Sequence, residues 1–461
     1  MTKKFTFAAI AALVLFASAC DDKNTPTIIT PPVIGGGDKE DVDTDVKVGE
    51  TITAWKEGQF DIHFINTTTG EAIYMIFPDG TQMLIDAAGS QVTTGTVGST
   101  TNTGIRGRWD PTKESNWLAG KYIEQYIRVC QAWVGNAKLD YVLLTHFHND
   151  HFGGSNGLEK SDKSTTYTKQ SLPYIMDSFS IGKLMDRGYP DYSYPFDMAT
   201  KADNASNCKN YITAVKWHVA NNGLKVEKFV AGSNSQIQLA KNASKYPSFS
   251  VRNLAVNGEI WTGSGTGTTK TFPALEEIKV ADPSDILATD NCPEENHCSC
   301  MAKFTYGKFD FFAGGDAQYD GFSTFSWKDI ETPVAKVCGK VEVMKADHHG
   351  TSNTNGFGYK DKCWAMQYLA PQCWVVNSWT DGHPRQATYE GVIGYLPSVD
   401  AFITNTCSAM TSYSAWTKMK GGDGHVVVRV LEGGDKYYVY TLTDSDRKMT
   451  VKSISGPYTS R

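Results

Sequence analysis

Histidine is scarce in this chain, ten in 461 residues, and so is excess positive charge: 44 lysines and arginines stand against 50 acids. A formal charge of −6 makes the chain a poor non-specific binder of polyanions, because phosphate neutralisation needs clustered Lys and Arg. This lowers the odds of a nucleic-acid substrate, although a local basic groove would not show in the total. The apolar stretch Phe5 to Phe16 is too short to be a spanning helix. Hydrophobic residues at 40% and aromatics at 12% are nevertheless ample for a well-buried core. Length alone would allow two or three average domains.

The N-terminus reads as an address. Lys3 and Lys4 precede the apolar stretch, which ends in Ala17-Ser-Ala-Cys20. Small residues before a cysteine resemble a bacterial lipoprotein signal. That resemblance implies removal of residues 1–19, lipidation of Cys20, and a place in the bacterial cell envelope held by a lipid anchor only. An ordinary secretory signal cut after Ala19 is the alternative. Residues 20–57 carry Pro26, Pro31, Pro32, the Gly35–Gly37 run and a string of charges, the composition of a flexible linker. The folded domain is expected over 58–461.

Nine cysteines besides Cys20 remain: Cys130, Cys208, Cys292, Cys298, Cys300, Cys338, Cys363, Cys373 and Cys407. In an exported protein some are expected to pair, and an odd number leaves at least one free or bonded between chains. Cys292, Cys298 and Cys300 crowd together, but their spacing is not that of a zinc ribbon. Disulfides or buried thiols are the better reading.

The few histidines are concentrated. Tyr141–Leu144 is a short apolar, strand-like run, followed by Thr145-His-Phe-His-Asn-Asp-His-Phe-Gly-Gly154. His146 and His148 alternate as strand-end residues do, so both imidazoles fall on one side. Asp150 and His151 sit in the turn beyond and can face a second ion. Imidazole and carboxylate donors in this mixture suit Zn²⁺, or Mn²⁺ and Fe²⁺ where oxygen ligands dominate.

His-x-His-x-Asp-His after an apolar strand, followed by Gly-Gly, resembles the metal-binding signature of the metallo-β-lactamase superfamily. The resemblance implies an α/β fold, an αββα sandwich, with one or two metals at the edge between its halves. Phe60-Asp-Ile-His-Phe-Ile, Gly70-Glu-Ala-Ile-Tyr-Met-Ile-Phe and Gln82-Met-Leu-Ile-Asp86 are similar to the opening strands of the ComEC-type competence protein domain. Asn66-Thr-Thr-Thr-Gly70 departs from the Asp-Val-Gly-Gln-Gly turn usual there. By the same resemblance Asp86 orients metal-binding histidines, and Asp316 in Ala313-Gly-Gly-Asp-Ala bridges two metals. In Ala346-Asp-His-His-Gly-Thr-Ser352 one of His348 and His349 ligates the second metal and the other faces substrate; the order of the two is open. Asp381-Gly-His-Pro384 places His383 at the cleft. The likeness covers roughly 58 to 450, with loop insertions. One of them, Tyr189-Pro-Asp-Tyr-Ser-Tyr-Pro-Phe196, either lines a cleft or packs on its own aromatics.

Many relatives supply a third histidine to the first metal. Here His218 lies mid-helix and is expected to pack, and His297 falls where the ComEC-like branch carries an Asn-x-x-Ser element, matched by Asn296 and Ser299. The first site would then be His146, His148 and Asp316 completed by water. These features imply a hydrolase with two Zn²⁺, most readily a phosphodiesterase acting on a small-molecule, cell-wall or nucleic-acid phosphodiester. Asp150 would accept the water's proton, and His383 would bind a phosphoryl oxygen or protonate the leaving group. A carbonyl hydrolase (lactonase or β-lactamase) and a non-catalytic glycan-binding lipoprotein are the alternatives.

Overall fold

Two nine-stranded sheets form the centre of the computed structural model. It describes residues 45–461 apart from 68–69, 88–90, 93–94, 98–99, 103–116, 156, 276–291, 320–325, 353, 355–363, 381 and 445–447. The signal, Cys20, most of the proposed linker and Cys363 lie outside the described residues.

The first sheet runs, strand by strand, Val226–Lys228, Ser180–Asp186, Lys138–Leu143, Gln82–Ile85, Ile73–Ile76, Phe60–Phe64, Gly424–Val430, Lys436–Thr443 and Val451–Thr459. The second runs Thr268–Lys270, Glu259–Trp261, Phe249–Val256, Met301–Tyr306, Phe309–Ala313, Val343–Lys345, Cys373–Val376, Asp400–Ile403 and Met419–Gly421. Period-two alternation sorts each strand between two cores. Phe60, Ile62, Phe64, Met83 and Ile85 join Phe304, Phe311, Val343 and Val375 in the layer between the sheets. Tyr74, Ile76 and Leu84 face the other way, under Ala119–Val134 and Ala205–Asn222. Phe312, Met344, Trp374 and Val376 are covered by Glu331–Cys338 and Gln386–Tyr395. Helix, sheet, sheet, helix is the expected layering, and the fold is mixed α/β as anticipated.

Because both faces of Phe60–Phe64 are covered, its polar members need partners. Asp61 is buried and takes a two-pronged ion pair from Arg429, with Nε to Oδ1 at 2.9 Å and Nη2 to Oδ2 at 2.7 Å. His63 packs in the strand as expected and meets the Tyr126 hydroxyl at 2.9 Å.

Two expectations need correction, and one left open is answered. Folded chain begins before Gly58: Val46, Ile52 and Trp55 are buried in the first helix-covered core, and Gly49 N–H donates to the Val451 carbonyl. Apolar side chains spaced among the charges of 45–57 supply that anchorage, which a composition average hides. The eight described cysteines are all buried free thiols, so no disulfide occurs among the described residues. The aromatic insertion packs on itself, with the buried Tyr192 hydroxyl donating to Asp186 at 3.0 Å. Phe196 and Tyr194 each reach a cavity, the former the one described below. Among the described residues no helix is long and apolar enough to cross a membrane.

Candidate metal centre

Parallel pairing explains why the polar motifs meet. Gln82–Ile85 and Lys138–Leu143 run parallel, as do Phe309–Ala313, Val343–Lys345 and Cys373–Val376. Their carboxyl ends therefore line one edge of the sandwich, and Asp86, Thr145–His151, Asp316, His348–His349 and His383 follow those ends.

Asp316 is the hub. Its Oδ2 lies 3.1 Å from His151 Nε2, 3.3 Å from His349 Nε2 and 3.7 Å from His146 Nε2. Asp150 Oδ2 lies 3.5 Å from His349 Nε2 and 4.0 Å from His151 Nε2. One donor atom each from Asp150, His151, Asp316 and His349 falls within 4.8 Å of all the others. His146 and His148 stand beside this group, Nε2 to Nδ1 3.2 Å apart. His148 immediately precedes the short helix Asn149–Phe152, which carries Asp150 and His151.

Supporting groups set the ring orientations. Asp86 accepts from Thr145 N–H at 2.8 Å and from Thr145 Oγ1 at 2.7 Å, and its Oδ2 meets His151 Nδ1 at 2.8 Å. That contact fixes the ring with Nε2 facing Asp316. Asp86 adopts φ +56°, a left-handed conformation that aspartate tolerates better than most residues. Ser299 Oγ accepts the Asp316 N–H at 3.1 Å.

Adjacent left-handed residues separate the two histidines of the late motif, His348 at φ +44° and His349 at φ +54°. His349 turns inward and is buried against Asp150 and Asp316. His348 is held between amides, Asn296 Nδ2 at 3.2 Å from Nε2 and Gln318 Nε2 at 3.1 Å from Nδ1. A neutral imidazole accepts at only one nitrogen, so one of these amides presents its oxygen instead. The structure thus assigns His349 to the tight donor group and leaves His348, a quarter exposed, at the rim. Gly350 makes the next turn possible: a Cβ there would lie 2.8 Å from Pro384 Cβ, where the His383 segment packs.

The electrostatics suit cations. Burial alone would depress the His151 pKa, yet Asp316, Asp86 and Asp150 outweigh it and hold the ring protonated well above its ordinary range. Burial would raise the carboxyl of Asp316, but His151, His349 and Lys345 keep it ionised. Both nitrogens of buried His349 lie near carboxylates without making a hydrogen bond. Metal binding at an imidazole nitrogen of His151 would displace its proton. The four-donor group would hold one divalent ion, and the imidazoles of His146 and His148 beside it are compatible in chemistry with a second, although they form no close ligand group with Asp316 among the described residues.

His383 stands 5.0 Å, centroid to centroid, from His349 and 4.3 Å from Trp379. Burial, then the neighbouring His349, pushes its pKa well below the usual value. That direction favours a neutral ring, which can bind an oxygen by donating a hydrogen bond. His218 and His297 are outside the donor group, the former bonded to Asp177 and Tyr167 at 3.0 Å each. His297 packs 6.1 Å from the Trp327 ring. Cys292, Cys298 and Cys300 join no metal-ligating group among the described residues. Sequence reasoning missed Glu71 and Lys345, both buried, whose ion pair lies behind the ligands at 3.0 Å. Their only sequence signal is a charge at the start or end of an apolar strand.

Beside His148 opens a cavity of about 370 Å³, lined by Phe196, Asn204, Asn296 and the acids Asp203, Glu294 and Glu295. Glu295 is neutralised by buried Arg187, and Glu294 reaches Lys328 at 3.4 Å.

The Metallo-beta-lactamase superfamily profile matches residues 71–177. No curated protein matches the sequence. Among solved structures, a provisionally named metal-dependent hydrolase of Parabacteroides distasonis is 10% identical, covering 77% of this chain and 98% of its own, with a TM-score of 0.33. The metallo-beta-lactamase fold protein YhfI of Bacillus subtilis is 9% identical, covering 75% and 96%, with a TM-score of 0.35. CmlA, a diiron β-hydroxylase of Streptomyces venezuelae, is 12% identical, covering 75% and 48%, with a TM-score of 0.30. Asp86, His146, His148, Asp150 and His151 all lie inside the residues that match the Metallo-beta-lactamase superfamily model.

Proposed function

We propose that this protein is an exported metal-dependent hydrolase, holding two Zn²⁺ ions and acting on a phosphodiester. The observation that carries the reading is the four-donor group within 4.8 Å around Asp316. Divalent cations bound there would supply a water acidified to react near neutral pH and stabilise negative charge on the attacked phosphoryl group. The chain's own part is to hold that geometry. Asp86 fixes His151, Ser299 fixes the Asp316 backbone, and Asn296 and Gln318 fix His348 at the rim, where its ring meets substrate. Asp150 accepts a proton released as the water reacts. Neutral His383, whose Nδ1 is buried without a hydrogen bond, donates to the departing or non-bridging oxygen.

The cavity by His148 favours a small or wall-derived diester over long DNA. Asp203 lies in its wall without a cationic partner among the ion pairs of the described residues, and a polyanion would be repelled. A purely binding role is disfavoured because every ligand of the first motif is retained. Hydrolysis of bis(p-nitrophenyl) phosphate by the metal-loaded protein, with nitrocefin and simple lactones left intact, is the expected outcome. Turnover of nitrocefin or lactones alone would transfer the assignment to a carbonyl hydrolase.

Export rests on Lys3, Lys4, the apolar stretch and Ala17–Cys20. A Cys20→Ser variant is expected to lose fatty-acid labelling in a bacterial host; undiminished labelling would remove the lipid anchor from the account.

A further inference from the structure

Lys345 and Glu71 have no part in the scheme above, yet both side chains are only 1% exposed. The Lys345 ammonium pairs with Glu71 Oε2 at 3.0 Å, donates to the Gly315 carbonyl, and reaches Asp316 Oδ1 at 3.4 Å. Every imidazole contact to Asp316 falls on the other oxygen. His151, His349, His146 and His348 approach Oδ2 at 3.1, 3.3, 3.7 and 4.0 Å. The two oxygens of one carboxylate are thus divided between an ammonium and the ligand cluster.

We propose that Lys345, itself held by Glu71, is a positioning residue that pins Oδ1 and so presents Asp316 to two metals through Oδ2 alone. The inference rests on the metal-centre reading. Rotation of an aspartate carboxylate about χ2 is soft and roughly two-fold, so geometry alone does not select one oxygen. With Oδ1 released, the group can swing to chelate a single ion through both oxygens, and the bridge is lost. A charge-assisted hydrogen bond to Oδ1 prevents that swing. Glu71 is tied to the same cluster, with Oε2 3.6 Å from His349 Nδ1 and its backbone N–H donating to the Asp150 carbonyl at 2.8 Å. The pair therefore registers the bridging carboxylate against the second-site ligands. A fully buried ion pair is poor value for stability alone, since desolvation offsets most of its attraction.

Removing Lys345 by itself would strand Glu71 as an uncompensated buried charge. The test therefore changes both, Lys345→Met with Glu71→Gln, and compares this variant with Lys345→Arg and the wild type. Each is loaded with Mn²⁺ alone and followed by chelator competition and electron paramagnetic resonance. The wild type is expected to bind two ions and give the signal of an exchange-coupled pair. The double variant, folded by circular dichroism, is expected to lose that coupling and to bind its second ion ~10–100-fold more weakly. Lys345→Arg, keeping a cation on Oδ1, is expected to restore the coupled signal at least in part. A double variant with wild-type coupling and affinity would overturn the positioning role and leave the metal centre standing. A wild-type chain that binds fewer than two ions would overturn the bridged centre and this inference with it.

Discussion

Asp316→Asn is expected to lower phosphodiester turnover by at least ~10³-fold while the fold persists, the scale on which a site loses activity when transition-state charge stabilisation is removed. Asparagine matches aspartate in shape, so the buried turn after Phe309–Ala313 keeps its packing and its N–H bond to Ser299. What changes is charge. The oxygen that meets His151 at 3.1 Å and His349 at 3.3 Å is lost as an anionic bridge, and Lys345 loses one of its two carboxylate partners. Four imidazoles and an ammonium then crowd a neutral amide, and two cations would have no shared anion to offset their repulsion. Steady-state rates at saturating Zn²⁺, set beside near-UV circular dichroism, check this. A folded variant within tenfold of wild type would show that Asp316 is a turn former and no more.

His349→Ala and His348→Ala are expected to fail in different ways. The first removes a ligand buried at 1% exposure between Asp150 and Asp316, so bound metal should fall from about two ions per chain to about one. Its second-ion affinity should drop by more than ~100-fold, beyond the usual loss for a group that merely supports a ligand. The second removes a ring whose two nitrogens are already engaged by Asn296 and Gln318. Metal content should therefore stay near wild type, with turnover reduced ~10²-fold, the scale of a single positioned polar group. Elemental analysis of the two variants side by side decides the matter. Equal metal loss in both would mean that the two histidines share the ion.

What could be read from the sequence was what is local. His146, His148, Asp150 and His151 fall within six residues after an apolar strand, so strand period and turn chemistry already converge them. The layered fold was legible because the strands of both sheets keep apolar residues on both faces, as at Ile73–Ile76. The choice between His348 and His349 was not, because two consecutive left-handed residues follow neither period and project by their own dihedrals. Glu71 and Lys345 were missed because each takes its meaning from the other, across some 270 residues of chain. The start of the fold was misplaced for the opposite reason. Composition over 20–57 averages a charged segment with Val46, Ile52 and Trp55, and only the average was read. Likewise an exported setting suggested that some cysteines pair, whereas each described thiol is buried and free.

The central claim is a two-ion centre bridged by Asp316, and metal content per chain of the purified protein tests it most directly. After incubation with Zn²⁺ and removal of unbound metal, the account predicts close to two ions per chain, falling in Asp316→Asn. No bound metal after Zn²⁺ or Mn²⁺ would contradict it and leave a folded sandwich without a catalytic centre.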